Sequence, residues 1–156
     1  MYFWKIENLK KDIRAGEFTE QDRFIYAFIY IVLSIIGMEA MSFLSVENPN
    51  MWDTIGTVGN IVIPIVGTFF AYRANGAGDG SDFLGRFFSI NFVVGIRFCV
   101  LLIPMIVGLF FYYTYAFSVD EEISSTPIDI IPFQIWLSLL YVRICKHIRD
   151  TDNPNS

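Results

Sequence analysis

Histidine occurs once in this chain of 156 residues, at His147, and cysteine only twice, at Cys99 and Cys145. Those scarcities remove whole classes of chemistry. A transition-metal centre needs several imidazole or thiolate ligands, and a nucleophilic hydrolase needs a base beside its nucleophile. The two cysteines make no Cys-x-x-Cys and fall in different segments, so membrane thiol oxidoreduction has no dithiol to use. They read as reduced structural thiols. There is also no His-Glu-x-x-His, no Gly-x-Ser-x-Gly and no phosphate loop. No enzymatic activity, catalytic residue, cofactor or metal is expected. His147, beside Lys146 and near Arg149, reads as one member of a juxtamembrane charge cluster. Met1–Leu9 lacks the basic, apolar and small-residue order of a signal peptide.

Positive charge is missing from two stretches, Ser45–Thr54 and Ser118–Thr126. The acids in and beside them are Glu47, Asp53, Asp120, Glu121, Glu122 and Asp129. Lys5, Lys10, Lys11, Arg14 and Arg23 precede the first long apolar run, Arg73 and Arg86 flank a glycine-rich loop, and Arg143, Lys146 and Arg149 follow the last run. The positive-inside rule therefore assigns both termini and the glycine-rich loop to the cytoplasm. Bases and acids nearly balance on that side, which argues against nucleic acid as a partner.

What the chain has in abundance is apolar surface: 54% hydrophobic residues, sixteen Phe and a mean hydropathy of +0.47. Crossing the hydrocarbon core takes roughly 20 mostly apolar helical residues. Four runs meet that standard, 24–44, 55–72, 87–117 and 128–145. The predicted fold is all-α, an integral membrane four-helix bundle with both ends cytoplasmic and a short N-terminal amphipathic helix. The chain divides into a cytoplasmic arm (1–23), a four-span domain (24–145) and a cytoplasmic tail (146–156). The expected location is a bacterial inner (plasma) membrane.

Tyr2, Ile6, Leu9 and Ile13 fall within about 60° of one another on a helical wheel. This arm either lies in the inner headgroup layer, anchored by Trp4, or packs against the cytoplasmic ends of the spans. Gly16 is a natural helix stop, and Thr19 with Asp22 reads as a capping pair for the next helix. Thr126, Pro127 and Asp129 have the same character at the start of the fourth span.

Within the spans a few residues stand out. Gly56, Asn60, Ile63, Gly67 and Ala71 share one narrow face, and Gly56, Gly67 and Ala71 make it a helix-packing face. Pro64 and Pro104 are expected kinks, Pro64 leaving the Asn60 carbonyl without its helical donor. Glu39, Arg97, Asn60 and Asn91 are the candidate intramembrane pair or polar pathway, since ionisable groups in lipid tend to face inward and pair. Arg97 is expected about 9–15 Å deep at 1.5 Å per residue. Placing an arginine at a span's centre costs at least about 2.5–3.5 kcal/mol, which snorkelling reduces.

These features predict a small self-associating membrane protein whose surroundings are the lipid bilayer and copies of itself. Its sharpest functional form is an ion-conducting or permeation path lined by those polar residues. The alternative is a non-conducting anchor or accessory subunit that holds a protein partner at the cytoplasmic face.

Overall fold

The structure, a computed structural model, describes residues 2, 4–42, 49–116 and 125–152. These residues form five α-helices and no strand: α1 (Ile6–Ala15), α2 (Glu20–Ser42), α3 (Met51–Ala74), α4 (Phe83–Ala116) and α5 (Pro127–Asp152). Three of them, over Met51–Ala74, Phe83–Tyr115 and Pro127–Thr151, are long and apolar enough to cross a membrane. Even α3, with 24 residues, is about 36 Å long against a core of ~30 Å. The remaining expected span falls on α2, where the side chains of residues 35, 36 and 38–42 lie outside the described set.

Short polar signals set the helix boundaries. At α2, the Thr19 Oγ1 accepts from the Asp22 N–H while the Asp22 carboxylate accepts from the Thr19 N–H, both at 3.2 Å. Asn50 and Asp53 make the same reciprocal box at α3. Asp129 accepts from the Thr126 N–H and hydroxyl at 2.7 Å, with Pro127 opening α5. Gly16 ends α1 at φ 70°, ψ 13°, where a side chain would strain the backbone. Pro64 and Pro104 lie inside continuous helices.

Packing neighbours run in the order α2, α4, α5, α3. Gly56 meets Ile130 and Gly67 meets Tyr141, so α3 and α5 run parallel in close contact. Phe98 of α4 stacks edge-on against Trp136 of α5 at 5.8 Å, Tyr30 of α2 meets Phe88 of α4, and Arg23 pairs with Asp82 just before α4. Among the described residues no comparable packing joins α2 to α3, so the helices form a row.

The deepest burial lies at the end of the row that carries α1. Ile6, Leu9 and Ile13 are buried there with Tyr26, Ile90, Val93, Ile144 and Ile148. Of the two placements open to the amphipathic arm, the chain adopts the packed one. Its apolar stripe fits between α4 and α5, and α5 is prolonged to receive it. The segment expected to leave the fourth span as a tail therefore stays helical to Asp152, with Ile148 and Thr151 buried.

The glycine-rich connection is compact. Asn75, fully buried, donates from Nδ2 to the Ser81 carbonyl and accepts on Oδ1 from Arg86, both at 3.1 Å. A Cβ on Gly80 would stand 1.7 Å from the Asn75 carbonyl oxygen, so only glycine fits the closure.

Away from the α1 end, large apolar side chains point outward. Phe28, Val58, Ile61, Ile65 and Phe110 are each more than half exposed. In water each would forgo roughly 1.5–3 kcal/mol of burial. Such a surface, on helices of this length, is compatible with a membrane protein.

Candidate functional site

The polar residues of the apolar helices sort into a seam between α3 and α5 and a group at the α1 end. The seam is built by glycine. A Cβ on Gly56 would come within 3.0 Å of Ile130, one on Gly59 within 2.1 Å of the Gln134 amide oxygen, and one on Gly67 within 2.3 Å of the Tyr141 ring. Absent side chains let the two backbones approach, and the larger residues of α5 fill the notches.

Gln134 sits in the middle notch. Its Nε2 donates to the Gly56 carbonyl at 3.1 Å and to Asn60 Oδ1 at 3.0 Å. Its Oε1 is buried and accepts no hydrogen bond among the described residues. Ser138 returns its hydroxyl to the Gln134 carbonyl at 2.8 Å, and the Cys145 thiol points to the Gly67 carbonyl at 3.8 Å. Asn60 is thus engaged across the seam by Gln134. Gly56, Gly67 and Ala71 are buried, the first two directly against α5. Gln134 and Gly59 were missed in the sequence. The usable signal was a glycine five residues before Pro64 together with the one amide in the fourth apolar run.

At the far end of the same seam Asn50 donates from Nδ2 to the Ser125 carbonyl at 2.7 Å, and Ser125 donates its hydroxyl to Asp53. These bonds join the start of α3 to the start of α5. They place Asn50 and Ser125 at the same end of the row.

Arg97 belongs to the α1 end. Its guanidinium donates to the Trp4 carbonyl, and its Cζ lies 5.4 Å from the centre of the Trp4 ring. The Nε is buried without a hydrogen-bond partner. The half-exposed ring face attracts the cation, worth about 0.5–1 kcal/mol. Tyr2 closes the same corner: its N–H donates to the Tyr26 hydroxyl, which donates to the Tyr2 carbonyl at 3.1 Å. Tyr2 also gives its phenol proton to Asp12 at 2.7 Å, and that bond holds the phenol above its ordinary pKa. Lys10, expected outside the buried stripe, is only 5% exposed and is neutralised by Glu7 at 2.9 Å and Asp150 at 3.1 Å. Arg14 donates to the Asp150 carbonyl.

The Glu39 side chain lies outside the described residues, and its pairing with Arg97 with it. The helix register still relates the two positions. Glu39 is nine residues beyond Tyr30 and Arg97 nine beyond Phe88, and Tyr30 and Phe88 touch at 5.4 Å. Both positions thus lie about 14 Å farther along parallel helices, at a similar level. Asn91, 5% exposed, is buried in α4 within the α1-end core and is not brought to Asn60 by any described contact. Asn60 therefore lies in the α3–α5 seam, apart from Arg97 and Asn91 at the α1 end of α4.

Among the described residues no group of His, Cys, Asp and Glu is placed to hold a metal ion. No family model matches the chain, and no curated protein or solved structure is similar to it.

Proposed function

We propose that the chain is a four-span integral membrane protein with both termini cytoplasmic, acting as a non-conducting anchor or accessory subunit. It presents its α1 end to a protein partner. The observation that carries this reading is the α1 cap. A ten-residue helix is buried on the ends of α4 and α5 and tied down by Trp4–Arg97, Tyr2–Tyr26 and Lys10–Asp150. The cap gives the cytoplasmic end a defined shape and leaves Lys5, Glu7, Asn8, Lys11 and Glu17 exposed as its polar face.

Two further observations weigh the anchor above a permeation path. Asn60 and Gln134 are spent on each other across the seam, and Arg97 on the arm. A path would require several copies of the chain to enclose it, which makes self-association the alternative's condition. Ion flux from liposomes holding purified protein, under voltage and at several pH values, tests the reading. No flux is expected. Flux that changes in Glu39→Gln, Arg97→Gln or Gln134→Leu would overturn the anchor in favour of a path at those residues.

A further inference from the structure

The row of helices leaves an open groove of about 720 Å³ between α3 and α5, on the half nearer α1. Its walls are Val62, Val66 and Phe70 of α3 with Tyr141 and Val142 of α5. At the α1 end the lining turns polar, with Lys146, Arg149 and Asp150. The Asp150 carboxylate is already committed to Lys10 at 3.1 Å, with His147 Nδ1 at 3.9 Å. Lys146 and Arg149 are exposed and make no ion pair among the described residues. The groove therefore has an apolar length and two unneutralised cations at one mouth.

Its dimensions select an occupant. From Ser138 to Arg149, both of which line it, the groove follows eleven residues of α5, about 16 Å. That is about half of the ~30 Å hydrocarbon core, the depth of one leaflet. The cations stand where the headgroups of the α1-side leaflet would lie. We infer that this groove is a binding site for an anionic phospholipid, its acyl chain along Val62–Phe70 and its phosphate on Lys146 and Arg149. Basic pockets between spanning helices on the cytoplasmic side are suited to such headgroups. The inference rests on the membrane placement proposed above.

Two cations near a membrane surface should favour the anionic lipid over a zwitterionic one by about 30-fold. The test is native mass spectrometry of the protein purified in non-ionic detergent, titrated with phosphatidylglycerol or phosphatidylcholine of identical chains. Preferential retention of phosphatidylglycerol is expected, and its disappearance in Lys146→Gln/Arg149→Gln. Lys5→Gln/Lys11→Gln, which removes the same charge from the exposed side of the N-terminal arm, should keep the preference. Val142→Trp, at a wall position 62% exposed, should reduce binding of both lipids while leaving the protein folded.

Equal retention of the two lipids, or a preference unchanged in the α5 double variant, overturns the site. Competition by free glycerol phosphate as effective as the lipid also overturns it, leaving an anion site with no use for the groove. Carbonate extraction of the expressing membranes separates this result from the parent reading. Release of the chain would sink the membrane placement itself, whereas retention with equal lipid binding would sink only the lipid site.

Discussion

Gly67→Ala adds one methyl group to a notch that holds the Tyr141 ring. The new carbon would lie 2.3 Å from the ring's Cγ and Cδ1 and 2.8 Å from Tyr141 Cβ. Carbon atoms rest at about 3.5–4.0 Å, so the ring or the helices must part by more than about 1 Å. The base of a ring cannot swing aside as the end of a long chain can. Overpacking of this kind costs typically about 1–3 kcal/mol, and 2 kcal/mol is about a 30-fold change in the folding equilibrium. Gly108→Ala in α4 makes the same change where nothing lies within 4 Å. It should be neutral or stabilising by up to about 1 kcal/mol, since alanine loses less backbone freedom. Unfolding in mixed micelles with rising dodecyl sulfate, followed by circular dichroism, measures both. In a Tyr141→Ala background the Gly67→Ala cost should fall close to zero, giving a coupling of about 1–3 kcal/mol. An equal cost in both backgrounds, or the same cost at the two glycines, would refute the notch.

Other consequences follow from the same geometry. Gln134→Leu removes the bonds to Asn60 and the Gly56 carbonyl, and should cost about 0.6 kcal/mol, with ~1.7 as an upper bound. Asn60→Ala added to it should cost little more in the same unfolding assay. Asp150→Asn leaves the buried Lys10 with Glu7 alone and should weaken the cap by about 1.5–3 kcal/mol, read as faster trypsin cleavage within α1. The Tyr2 phenol is raised above its ordinary 10.0 chiefly by its bond to Asp12. A raised folded value means that its contribution is full below pH ~10 and is lost as pH rises through the higher folded value. Trp4 fluorescence should therefore report loosening of the arm at alkaline pH, with that component absent in Tyr2→Phe. Trp4→Leu and Arg97→Gln should each loosen the arm, and their double variant no more than either alone.

Much of the architecture is legible in the sequence because its causes are local. Helical period and length come from residues within a turn or two of one another, and the boundaries at Gly16, Thr19 and Thr126 rest on contacts three residues apart. The α1 stripe of Ile6, Leu9 and Ile13 was visible for the same reason. Its destination was not. Whether an amphipathic helix meets lipid or protein depends on what the ends of α4 and α5 offer, and a wheel does not show them.

The residues that only the tertiary structure decided all have distant partners. Lys10 reads as a surface lysine until α5 brings Asp150, 140 positions away, to its ammonium. Arg97 reads as a buried charge seeking an acid until Trp4, 93 positions away, supplies a carbonyl and a ring face. Gln134 and Gly59 read as unrelated until the α3–α5 register sets the amide in the notch. Sequence alone determined that this chain makes long apolar helices with polar caps, because helix formation and capping are decided within a few residues. Which of those helices touch, and which polar groups are spent holding them, was decided by long-range packing, because only the assembled row brings those surfaces together.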